Sequence, residues 1–115
     1  MSANSPKGLD KIYLSDILIS VILLGLDRVE SYARRYPQTR TSLNRWRVII
    51  EKTRFMSTLE IKKSFSKSYD YVPPRCHVFD ITQGHRLIAL IDFKTQIFSI
   101  DAIMDHARYD RWRCL

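Results

Sequence analysis

Between His77 and Asp110 the chain alternates apolar and polar residues in three short runs. Val78 and Phe79 open the first, Leu87 to Ile91 form the second and Ile97 to Ile103 the third. A period of two turns one side of each run toward a core and the other toward solvent, so the runs read as half-buried strands. Thr82-Gln83-Gly84 and Lys94-Thr95-Gln96 supply the turns between them. The strands are therefore neighbours and antiparallel, packed on one face and wet on the other.

Upstream the period changes. Ile19 to Leu24 is short and rich in Leu and β-branched residues, which suits a buried strand in the interior or beside the third strand of the meander. Tyr13 to Leu18 reads equally as a helical turn or as more strand. Asp27 and Glu30 form an Asp-x-x-Glu box that opens a helix, Leu26, Val29, Ala33 and Tyr36 give it one apolar face, and Pro37 stops it. A second helix follows a short link, with Leu43, Trp46 and Ile50 inward and Ile49 at their margin. Its polar side carries Arg40, Arg45, Arg47, Lys52 and Arg54. Thr58 to Phe65 has the length of one or two helical turns, and Ser66 to Arg75 is turn-rich, with Pro73-Pro74 forcing an extended approach to the sheet. The fold class is α+β: a small antiparallel sheet of about four strands with an N-terminal helix pair packed on one face. Residues 1–18 read as an arm and residues 19–115 as a single domain.

With 115 residues, 45% of them hydrophobic, the chain suffices for one core and is too short for two. A net charge of +7 favours an anionic partner such as RNA, DNA or an acidic protein. Cys76 and Cys114 are too few for a disulfide framework and lack metal-ligand spacing, so unpaired thiols in a reducing cytosol are expected, and no metal or other cofactor. The apolar run Ile12 to Leu26 is broken by Asp16 and falls short of the ~20 residues of a membrane span. No signal-peptide pattern surrounds it, which points to a cytoplasmic protein without a membrane partner.

Three short motifs carry a resemblance. Arg35-Tyr36-Pro37-Gln38 closes the first helix, Val78-Phe79-Asp80-Ile81 forms a strand, and Asp105-His106-Ala107-Arg108-Tyr109-Asp110 closes the chain. Together with the order strand, two helices, three strands, they resemble the HigB branch of the RelE-like ribonuclease toxins over about residues 21–112. Two departures stand out: Thr82-Gln83-Gly84-His85-Arg86 replaces the family's Gly-Asn-x-x-Arg hairpin, and Asp105 replaces its usual Thr. The resemblance implies an endoribonuclease toxin that cleaves mRNA, on the ribosome, and is silenced by a helix-turn-helix, HigA-like antitoxin.

Cleavage by attack of a 2′-hydroxyl on its own phosphate needs no metal, only proton transfer and cations where charge builds on phosphorus. His106 is the proton-transfer candidate, Arg86 the phosphate clamp, and Tyr109 a stacking or donating group. Lys94, Arg108, Arg111, Arg113 and His85 are candidates for holding RNA. Plainer readings stand beside these: His85 as a polar turn residue, His77 as structural, Tyr109 as a cap on the core, the arginine-rich helix as a solvated face, and Trp46 and Trp112 as core or interface anchors. The alternative function is a catalytically degenerate RNA- or protein-binding module on the same fold.

Overall fold

A computed structural model describes residues 21–115. The arm assigned to residues 1–18, and the start of the strand expected from Ile19, lie outside them. Among the described residues the architecture is α+β: four helices and a five-stranded mixed sheet in the order β1-β5-β4-β3-β2. The strands are β1 (Ile22–Leu24), β2 (Tyr69–Val72), β3 (Cys76–Asp80), β4 (Arg86–Asp92) and β5 (Ile97–Met104). The helices are α1 (Leu26–Arg35), α2 (Arg40–Lys52), α3 (Thr58–Phe65) and the single-turn α4 (His106–Tyr109).

The meander of β3, β4 and β5 is antiparallel, as its turns require. Strand β4 lies at the centre, and its Leu87, Ile88 and Ala89 are buried on both sides of the sheet. One strand, β2, is additional to the expected four or so, and another, β1, departs from an all-antiparallel sheet. β1 does pair beside β5, but in parallel, because α1 and everything after it intervene before the chain returns. β2 occupies part of the stretch read as turns: Tyr69–Val72 pairs antiparallel with β3, and the cis Pro73-Pro74 corner makes the hairpin. Tyr69, Tyr71 and Val72 are good strand formers whose alternation is masked by the flanking Ser and Pro residues.

Helix α1 does not start on the Asp27 box. Gly25 is its N-cap, at φ +91°, with no side-chain cap, and Asp27 sits inside the first turn. Only glycine suits this corner, since an added Cβ would lie 2.9 Å from the Ile100 carbonyl oxygen. Helix α3 has the side-chain cap instead, where Ser57 accepts from the Glu60 N–H.

The helical face of the sheet carries the main core. Val29, Ala33, Leu43, Trp46, Ile50 and Ile61 pack there against Tyr69, Phe79, Leu87, Phe98 and Ile100. Phe79 is fully buried among the rings of Trp46, Phe65 and Tyr69. Gln96 is no open turn residue: it is buried, and its Nε2 donates to the carbonyls of Phe55 and Phe93, tying the β4–β5 turn to the loop between α2 and α3.

The other face is not simply wet. After α4 the chain folds back across it, so that Tyr109, Trp112 and Cys114 cover Cys76, Val78, Ile88 and Met104. Cys76 and Cys114 are joined by a disulfide, contrary to the expectation of free thiols. Cysteine counting fails here because the two residues stand 38 positions apart and only the returning tail brings them together.

Candidate functional site

One end of the sheet gathers the β3–β4 turn, the last residues of β5, helix α4 and the C-terminal half of α1. The turn follows a tight path: Gln83 and Gly84 both take positive φ, and the His85 N–H donates to the Thr82 carbonyl at 2.8 Å. Gly84 rests against the next element, since a Cβ there would lie 3.1 Å from the His106 Cβ. The turn and the first residue of α4 are therefore in direct apposition.

Arg86 opens β4 directly across from Asp80, and the two form an ion pair between Nε and Oδ1 at 2.9 Å. The guanidinium carbon lies 5.0 Å from the centroid of the Tyr109 ring, which in turn stacks on Trp112 at 5.4 Å. An aromatic face and a carboxylate thus fix the arginine, leaving it 22% exposed. Burial pushes the Tyr109 hydroxyl pKa upward, while Arg86 opposes the shift. The phenol therefore stays protonated and able to donate at neutral pH.

His106 is 65% exposed, with Nε2 3.5 Å from Asp110 Oδ2 one helical turn on. Asp105, read in the sequence as a departure from the family's threonine, is the N-cap of α4: its Oδ1 accepts from the Arg108 N–H at 2.9 Å. Aspartate and threonine both serve that position, so the substitution preserves the turn that presents His106.

His85 has another place than an open hairpin turn. It is buried, 6% exposed, with its Nδ1 2.6 Å from the Tyr32 hydroxyl. The rings of Tyr32 and Tyr36 flank it at 5.5 and 5.1 Å. Burial first, then Tyr36 and Asp105, push the Tyr32 pKa up to about 12 against the opposing pull of Arg35 and Arg108. His85 is thus packed into the base of the site and cannot lie along a phosphate.

Of the other sequence candidates, Arg108 and Arg111 line an open cleft of about 370 Å3 beside α4, together with Tyr32, Arg35 and Tyr36. Arg113 is exposed in the tail beyond. Lys94 stands apart: it occupies the opposite turn of the β4–β5 hairpin, a full strand length of ~20 Å from Arg86, and cannot share a phosphate with it. Sequence reasoning missed Tyr32, Arg35, Asp80 and Gly84. Asp80 was within reach, because it flanks the same short hairpin loop as Arg86, whereas nothing local links Tyr32 to His85, 53 residues away.

Among the described residues no group of three or more His, Cys, Asp or Glu side chains is arranged to hold a metal ion. No described helix is long and apolar enough to cross a membrane. A protein-family model described as HigB toxin, RelE-like toxic component of a toxin-antitoxin system, matches residues 39–112, well over half of the chain. No curated protein matches it.

Proposed function

Because the chain belongs to the HigB toxin family, RelE-like toxic components of toxin-antitoxin systems, we propose that it is a metal-independent endoribonuclease that cleaves mRNA on the ribosome. The observation that carries this reading is the apposition at Gly84, which sets His106 against the turn leading into Arg86, with Tyr109 over the guanidinium. A proton-transfer group, a phosphate clamp and an aromatic donor then share one rim of the sheet.

In the proposed reaction the 2′-oxygen of a nucleotide bonds to the adjacent phosphorus while the bond to the 5′-oxygen breaks. The products are a 2′,3′-cyclic phosphate and a free 5′-hydroxyl. The 2′-hydroxyl loses a proton to solvent and His106 delivers one to the leaving oxygen. Arg86 neutralises the charge that builds on phosphorus, and its fixed seat between Asp80 and Tyr109 means that little reorganisation is needed when that charge appears. Tyr109 donates to a phosphate oxygen or stacks on a base. The domain is the stretch 19–115, the compartment the cytoplasm, and the silencing partner a helix-turn-helix, HigA-like antitoxin.

The test is expression without antitoxin. Growth should arrest and translated mRNA should be cut, and His106→Ala and Arg86→Ala should each relieve both effects while circular dichroism stays native. General acid-base help is worth ~10²–10⁴-fold, large enough to read in cells. Asp105→Thr, which keeps the cap, should retain activity. An inert wild type, or a fully active His106→Ala, would remove the proposal.

A further inference from the structure

Helix α1 carries two stripes. Val29 and Ala33 are buried against the sheet. Arg28, Ser31, Tyr32 and Arg35, spaced i, i+3, i+4 and i+7, line a groove whose far wall includes Ala102, Ile103 and Arg108. The groove runs on into the cleft beside α4, where Arg111 joins. Two segments distant in sequence thus converge four guanidinium groups on one channel.

Among the described residues these cations outnumber the carboxylates beside them. None of Arg28, Arg35, Arg108 and Arg111 forms an ion pair with a described residue. Two carboxylates line the channel, Asp27 at its outer wall and Asp105 at its inner end, and the latter accepts from the α4 backbone. Like charges drawn together by folding repel unless an anion sits among them. The solvated side of α1 is different: Glu30 and Arg34 mix signs there, and Arg34 turns to Ser31.

We infer that this groove is an extended binding site for the phosphate backbone of the single-stranded RNA flanking the cleaved bond. Seven residues of helix separate Arg28 from Arg35 by ~10 Å, enough to follow more than one phosphate. The inner end adjoins the candidate site, because Asp105 and Ala107 flank His106 and Tyr32 holds the residue before Arg86. An occupant leaving that site meets the groove next. Arg35, lying 5.5 Å from the Tyr36 ring centroid, and Tyr36 itself offer the mix of cation and aromatic face that holds unpaired strands. The inference rests on the ribonuclease reading, and Arg28 and Arg35 fall outside the matched residues 39–112.

The test uses the full chain carrying His106→Ala and a single-stranded RNA oligonucleotide, with Kd measured between about 50 and 200 mM salt. Each phosphate contact contributes about 0.7 to the slope of log K against log salt for single strands, so Arg28→Gln with Arg35→Gln should lower it by about 1.4. Arg28→Lys with Arg35→Lys keeps the charges and should keep the slope. Arg45→Gln, in a separate cleft with Trp46 and Ile81, should leave it unchanged. An unchanged slope in the double glutamine variant, or an equal loss in Arg45→Gln, overturns the groove even if the wild type cuts mRNA. Loss of antitoxin binding with RNA binding intact would reassign it to a protein partner. A wild type that cuts no mRNA fails the ribonuclease reading instead. Both arginines are exposed, so the variants should fold, and thermal melting matched to the wild type is the check.

Discussion

The Tyr32 hydroxyl and the His85 ring meet at 2.6 Å, joining the first helix to the residue that precedes Arg86. Without this bond the β3–β4 turn would lose its hydrogen bond to α1. Tyr32→Phe leaves a partly buried ring nitrogen without its partner, which costs ~1–3 kcal/mol. The turn positions both Arg86 and the residue facing His106, so mRNA cleavage should fall further than the melting temperature alone explains. Cleavage equal to wild type at a lower Tm would reduce Tyr32 to a packing residue.

Gly84 tests the same apposition from the other side. Its φ of +87° is strained for any L side chain, and an alanine Cβ would lie 3.1 Å from His106 Cβ. Gly84→Ala should cost ~1–2 kcal/mol in denaturant unfolding and displace the histidine. Small displacements of catalytic groups cost on the order of 10²-fold in rate, so activity should drop well beyond the stability loss.

The Cys76–Cys114 disulfide closes a loop across 38 positions and holds Trp112 and Tyr109 on the second face of the sheet. Loop-closure entropy assigns it about 4 kcal/mol. In a domain of this size that corresponds to a fall in Tm on the order of 15 °C when it is lost. Cys76→Ser or Cys114→Ser should show this fall in scanning calorimetry. Adding a thiol reductant should reproduce it in the wild type and change nothing in the variants.

His77 sets the acid limit of the fold. It is buried, with Nδ1 2.7 Å from the Tyr69 hydroxyl, and burial pulls its pKa from 6.5 down to about 4. The unfolded chain takes up this proton near the ordinary value and the folded chain only near the lower one. Stability present above pH 6.5 is therefore lost as pH falls through about 4, by up to about 3 kcal/mol. His77→Gln cannot titrate and should flatten urea stability across that window. An unchanged pH profile would show that another group sets it.

Local pattern determined much of this protein. The continuous apolar run Leu87 to Ile91 and the alternation in Ile97 to Ile103, with polar turns between, marked the meander, because short apolar runs bounded by turns suit strands. The stripes of Val29 and Ala33, and of Leu43, Trp46 and Ile50, fixed the helix pair by the same reasoning at a period of 3.6. The short motif at His106 and Tyr109 pointed to the candidate site because it lies within one helical turn.

Tertiary structure alone decided the rest, wherever the partners are far apart in the chain. The parallel seating of β1 on β5 depends on where the chain returns after α1 and the elements that follow. The disulfide depends on a tail that crosses a face expected to be wet. Lys94 and Arg86 flank the same hairpin in sequence, yet extended backbone carries them to opposite ends of it. Tyr32 reaches His85, and Arg35 reaches the cleft of Arg108, only because α1 packs along the strand that ends at α4. Periodicity reports which way a side chain faces; which distant side chain it meets is set by how the elements pack.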